Sequence, residues 1–152
     1  MIMKDLLLTL DDENIYDIEF DNDGDFLLTS GLETAILMSL LCEKRADASE
    51  ITDPKWRRGD WSNELNDVED YEIGSKIWLL GSGRNTQETL NNGIEAIQDG
   101  LQWLIDDNII KAVTVTGTVG IRKIIYEIKI TKPNNEIETY LFSDFKLTKE
   151  NA

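Results

Sequence analysis

Between Thr86 and Asp107, apolar residues recur at Leu90, Ile94, Ile97, Leu101 and Leu104, separated by four, three, four and three positions. That spacing puts them on one stripe and predicts a long amphipathic helix ending near Asp106. Asn85 and Glu88 have the spacing of a capping box at its start. Ser30 and Glu33 repeat that spacing before GLETAILMSLLCEK, which carries Leu32, Ile36 and Leu40, with Ala35 and Leu37 one face over. A helix this apolar must be largely covered. GSKIWLLG, Gly74 to Gly81, suits a short two-turn helix packing Ile77 and Trp78.

In the last third the period changes to two. AVTVTGT alternates around Val113 and Val115, and IRKIIYEIKIT alternates at Ile124, Tyr126, Ile128 and Ile130. ETYLFSDFKL supplies a further strand; Gly117 and Gly120 bracket one hairpin connection, and Pro133 to Asn135 another. Near the start, residues 5–10 (DLLLTL) and 14–20 (NIYDIEF) are predicted as short strands bounded by turn residues. In DNDGD, Asp21 to Asp25, placing Gly24 at a calcium loop's glycine puts Ser30 where the bidentate glutamate belongs, so a hairpin turn is expected instead. Together these patterns predict an α+β class. One small domain over residues 1–152 would hold two main helices and a short one, packed on a mainly antiparallel sheet built from the chain ends. It would comprise an acidic strand or hairpin segment (1–29), a helical middle (30–108) with an irregular loop (45–73), and antiparallel strands (109–148).

Composition narrows the chemistry. At 152 residues the chain can bury a core without metal or disulfide support. Thirty acids against fifteen bases give a net charge of −15. Residues 1–30 hold nine acids and one base, hence −8, which leaves −7 for the remainder. Such a field repels phosphate backbones, so nucleic acid is not an expected ligand. The chain has no histidine, which removes Ser-His-Asp and Cys-His catalysis and most zinc sites. Cys42, the only cysteine, lies in an apolar stretch and reads as a small buried side chain. The opening apolar run is too short for a signal peptide or a membrane span, so folding in a cytoplasm is expected. Gly81-Ser82-Gly83 lacks the ending of a phosphate-binding loop and reads as one helix end followed by the next start. Catalytic, cofactor and metal residues are therefore expected to be none.

One segment stands apart: Trp56-Arg57-Arg58-Gly59-Asp60-Trp61, two adjacent arginines between two tryptophans in an acidic chain. One reading has the tryptophans pin an irregular loop to the core while the arginines pair with nearby acids. The other makes Trp56, Arg57, Arg58, Gly59 and Trp61 an anchor for another protein, since tryptophan and arginine dominate interface hot spots.

These stretches resemble a known family. GLETAILMSLLCEKRA (31–46), WRRGDW (56–61), GSKIWLL (74–80) and the helix through LQWLIDD (101–107) are similar to the small baseplate wedge protein of Mu-like contractile-tailed phages, related to the sheath-initiating wedge protein of T-even phages. Leu32, Thr34, Ala35, Arg45, Ala46, the Arg57-Arg58-Gly59 run, Trp61, Gly74, Ser75, Trp78 and Trp103 fit that pattern; Glu43, Lys44 and Asp60 depart from it. The resemblance implies a non-enzymatic virion component located in the tail baseplate. Its partners would be other wedge proteins, met through the arginine loop, and the tail sheath protein, met through strand edges within 112–147. Arg45, Gly74, Ser75 and Trp78 would support the loop; no cofactor, membrane or small-molecule substrate is implied. Alternatives from other classes are a tail-borne cell-wall hydrolase using paired carboxylates and a host regulatory binding domain.

Overall fold

The computed structural model describes residues 4–29, 31–60, 63, 65, 72–81 and 83–150. Its elements run β1 (Asp5–Leu6), β2 (Leu8–Leu10), β3 (Tyr16–Ile18), β4 (Leu28–Thr29), α1 (Glu33–Leu41), α2 (Gln87–Asp106), β5 (Ala112–Val119), β6 (Ile124–Thr131), β7 (Ile137–Ser143) and β8 (Lys146–Lys149). Single 3-10 turns occupy Pro54–Trp56 and Ile77–Leu80, the second being one turn where two were predicted. The class is α+β with antiparallel strand pairing, as the periodicities predict. The chain divides into two compact units, residues 1–37 and 38–152.

In the first unit, the strand predicted over 5–10 is interrupted at Leu7. β1 pairs with β4 (Asp5 opposite Thr29), while β2 pairs with β3 (Leu8 opposite Ile18). DNDGD forms the expected hairpin turn: Asp21 Oδ1 accepts from the Asp23 and Asp25 amides at 2.9 Å each, and Phe20 bridges to Phe26. Ser30, the predicted cap of the first helix, lies outside the described residues. Thr29 serves the start of that helix, accepting from the Gly31 amide at 3.0 Å and donating to Glu33 at 3.2 Å.

In the second unit, strands follow one another in the order β5-β6-β7-β8. Thus the two chain ends do make antiparallel sheets, but separate ones. Val115 lies opposite Ile128, and Ile128 opposite Tyr140, so side chains of one parity share the inward face. Ile128, Ile130 and Tyr140 are fully buried there. α2 covers β5 with Leu90, Ile97, Leu101 and Leu104, all buried. Its N-cap is Thr86, not Asn85: the Thr86 hydroxyl accepts from the Thr89 amide at 3.1 Å. Gly117 sits inside β5 opposite Tyr126, and the connection itself is Gly120–Lys123, closed by the Gly120 amide on the Lys123 carbonyl. The run 138–147 proves to be two strands, β7 and β8, joined at Asp144-Phe145 with φ +50° and +60°. Asp144 suits the first position of such a turn, but Phe145 stands where glycine is normal.

Glu138 sits at the edge of the inward face, its side chain 12% exposed. Burial alone would raise its carboxyl. Hydrogen bonds from Lys132 and from Tyr140 Oη (2.6 Å), with Lys149 at 3.3 Å, overcome this and hold it below the ordinary glutamate range. A depressed carboxylate stabilises the fold above its unfolded pKa and loses that contribution as pH falls through the folded value. Glu138→Gln should therefore cost about 1.5–3 kcal/mol at pH 7 and flatten the loss of stability below about pH 4. Urea midpoints measured between pH 7 and 3 test this; parallel acid limbs in variant and wild type would contradict it.

A buckled loop that presents one arginine

The backbone from Arg45 to Asp60 leaves and rejoins the C-terminal unit through a narrow neck. There Ala46 N–H donates to Arg57 O at 2.9 Å, and Asp60 N–H donates to Glu43 O at 2.8 Å. Pro54 opens the 3-10 turn, capped by Asp53, whose carboxylate accepts from the Lys55 amide at 3.0 Å. The two arginines then do different things. Arg57 is half-buried and donates inward, Nε to Ile51 O and Nη2 to Thr52 O, both at 2.8 Å. It is a buckle across the loop. Arg45 adds bonds to Arg58 O and Pro54 O, each at 3.3 Å.

Arg58 has φ +53° and Gly59 φ +120°, two successive left-handed residues that reverse the chain. Gly59 also permits close passage, because a Cβ there would lie 3.1 Å from Arg45 Cβ. The Arg58 side chain remains 55% exposed, its guanidinium 5.1 Å from the centre of the Trp78 ring and its Nε 3.1 Å from Glu43. An ion pair this exposed contributes little to stability, about 0–1 kcal/mol. The stacking and the pairing instead fix where the charge points.

The support behind Arg58 is a short parallel bridge between Glu43 and Ser75. Lys44 N–H donates to Ser75 O and Ser75 N–H to Cys42 O, both at 3.0 Å. The Ser75 hydroxyl, fully buried, donates to Leu40 O at 2.7 Å, and Trp78 Nε1 donates to Lys44 O at 2.9 Å. Gly74 makes the bridge possible with φ +110°; a Cβ there would meet Cys42 O at 2.5 Å. Lys76 ties Asp47 (2.7 Å) and Glu50 (2.8 Å) to the same support. Burial opposes its charge, but the two carboxylates prevail and raise its ammonium above the ordinary lysine value.

Of the residues predicted from sequence, Arg45, Arg57, Arg58, Gly59, Gly74, Ser75 and Trp78 are brought together here. Trp56 does not pin the loop to the core: it is 62% exposed, with the Lys55 ammonium 5.3 Å from its ring centre. Trp61 lies outside the described residues. Sequence reasoning missed Lys76 and Asn63; the Asn63 amide both donates to Ile73 O (3.1 Å) and accepts from Ile73 N–H (2.9 Å). No local pattern marks either residue, because each acts across ten or more positions.

What the site holds chemically is an exposed cation against an aromatic face. The Lys76 ammonium holds Asp47 and Glu50 below the ordinary carboxylate range, opposite to what a general acid requires. Burial, and then Asp60, push the Cys42 thiol up, which favours its protonated form.

Residues 32–137, which include the loop and its support, match the family described as phage protein GP46. The chain is 29% identical over 117 residues to the Mu-like prophage FluMu protein gp46 of Haemophilus influenzae, an alignment covering 76% of this chain and 79% of that protein. It is also 29% identical over 121 residues to the baseplate protein gp46 of Escherichia phage Mu, covering 78% and 81% respectively. The family match spans well over half the sequence and contains every element that positions Arg58, and the chain belongs to the phage protein GP46 family.

Proposed function

We propose that the protein is a structural component of a phage or prophage contractile-tail baseplate: a wedge subunit that starts the sheath and acts through protein–protein contacts. The baseplate role is carried over from the Mu relative. The wedge role rests on one observation, the exposed Arg58 guanidinium held between Trp78 and Glu43 at the end of a loop that Arg57 keeps in shape. A preorganised guanidinium loses little freedom on docking against a partner's carboxylates or helix end. Exposed Trp56 supplies apolar area beside it. β5 and β8, the outer strands of the four-stranded sheet, are the edges to which extended arms of the sheath protein would add. On this reading the protein is not an enzyme, is assembled in the host cytoplasm and ends in the virion tail.

The test is co-expression of the tagged protein with the neighbouring reading frames of its gene cluster, using single arginine variants. Arg58→Ala should abolish a stoichiometric complex with a larger neighbour while moving the thermal midpoint by less than about 2 °C. Arg57→Ala should instead destabilise by about 1–3 kcal/mol, since two carbonyls lose a charged donor. A complex that survives Arg58→Ala, or no complex with any neighbour, would remove the loop from the interface.

A further inference from the structure

We infer that a second recognition groove lies in the C-terminal unit and takes an extended acidic peptide segment of a partner protein, anchored by a bulky apolar side chain. The groove has a volume of about 580 Å³ and runs between the Ile77–Leu80 turn, the residues leading into α2, and the β5–β6 and β7–β8 turns. Arg84, Arg122 and Lys123 line it, with Asp144 the one carboxylate among the lining residues. In a chain of net charge −15 this is a local reversal of sign. Among the described residues, none of these three cationic side chains makes a salt bridge or a hydrogen bond. At physiological salt, charges beyond about 8 Å are largely screened, so three unpaired cations govern what the groove attracts.

The apolar anchor has its own place. Ile121 is fully exposed at the tip between β5 and β6. Phe145, 43% exposed, packs edge-on against Phe142 with ring centres 6.5 Å apart and reaches over Gly81. Its φ of +60° costs an aromatic residue about 1–2 kcal/mol that glycine would not lose. Next to it, the buried Ser143 hydroxyl finds no partner among the described residues, a further cost. The fold therefore gives up stability at this turn and, in doing so, holds a phenyl ring at the mouth of a cationic groove. Strain kept at one exposed position points to use of that position. A nucleic-acid strand suits the groove less well, because its phosphates extend beyond the three cations onto an acidic protein.

The Ile77–Leu80 turn borders both sites, but Trp78 and Arg58 do not line this groove, so the inference stands apart from the wedge reading. It is tested by amide chemical-shift titration of the full chain with the peptide Ac-Asp-Glu-Phe-Glu-Asp-NH2. The comparators are Ac-Lys-Lys-Phe-Lys-Lys-NH2 and a hexathymidylate strand. Saturable shifts are expected at Arg84, at residues 121–123 and at Phe145 with the acidic peptide alone, unchanged by Arg58→Ala. Reversing Arg122 and Lys123 to glutamate should weaken binding about ten-fold or more. Phe145→Gly should weaken the peptide several-fold while the amide shifts outside the groove stay in place, a combination that loss of folding does not produce. Absence of shifts at these residues, equal shifts with the lysine peptide, stronger binding of the thymidylate, or wild-type binding by Phe145→Gly would each overturn the proposal.

Discussion

Replacing Gly74 with alanine is expected to destabilise the C-terminal unit by about 1–5 kcal/mol, a large part of the total for a domain of this size. Two costs add. A φ of +110° is outside the range an L-residue adopts without strain, which contributes about 1–3 kcal/mol. The new Cβ would also fall 2.5 Å from the Cys42 carbonyl oxygen, an atom already fixed as acceptor for the Ser75 amide. Relieving that clash means parting the Glu43–Ser75 bridge, a further 1–3 kcal/mol or so. The unfolded chain returns only about 0.4–1 kcal/mol through lost freedom. Urea unfolding followed by tryptophan fluorescence measures the sum; a loss below about 1 kcal/mol would show that the bridge can shift without penalty.

Gly100→Val should cost about 2–4 kcal/mol for a different reason. Gly100 has ordinary helical backbone, and valine is no worse than glycine at forming a helix. The obstacle lies across the interface: a Cβ would stand 2.9 Å from Ser75 Cβ and 3.2 Å from Ser39 O, with Gly74 O at 3.5 Å. Ser75 is held by its backbone bonds and by its hydroxyl on Leu40, so it cannot retreat. The γ-methyls of valine then separate α2 from the support of Arg58. Gly100→Ala, with one carbon added and up to about 1 kcal/mol regained in helix propensity, should fall between 0 and 1.5 kcal/mol. Chemical denaturation of the two variants side by side separates the effects; equal midpoints for alanine and valine would mean that the interface is loose.

These two glycines show where the sequence is legible and where it is not. Leu90, Ile97, Leu101 and Leu104 reveal the long helix because burial repeats with the helix period, and Ile124 to Ile130 reveal a strand for the matching reason. Gly100, inside that helix, reads only as a weak helix position. Its partner Ser75 is 25 residues distant, and no periodicity records a contact at that range. The break at Leu7 and the turn at Asp144-Phe145 escaped for a related reason: both are imposed by the pairing of neighbouring strands against local preference. The loop was half legible. Its composition singled out Arg57 and Arg58, but identical side chains give no hint of different duties. The division depends on backbone angles, ordinary for a 3-10 end at Arg57 and left-handed at Arg58.

That division has a consequence for how such a loop can change over generations. Arg57 is answerable to its own chain, since its acceptors are the Ile51 and Thr52 carbonyls. On the proposed function, Arg58 is answerable to whatever docks outside. Substitutions at 58, or at Glu43 opposite it, can follow drift in a neighbouring protein while the buckle stays in place and the loop keeps its outline. Shape and address sit on adjacent residues, but they are inherited separately.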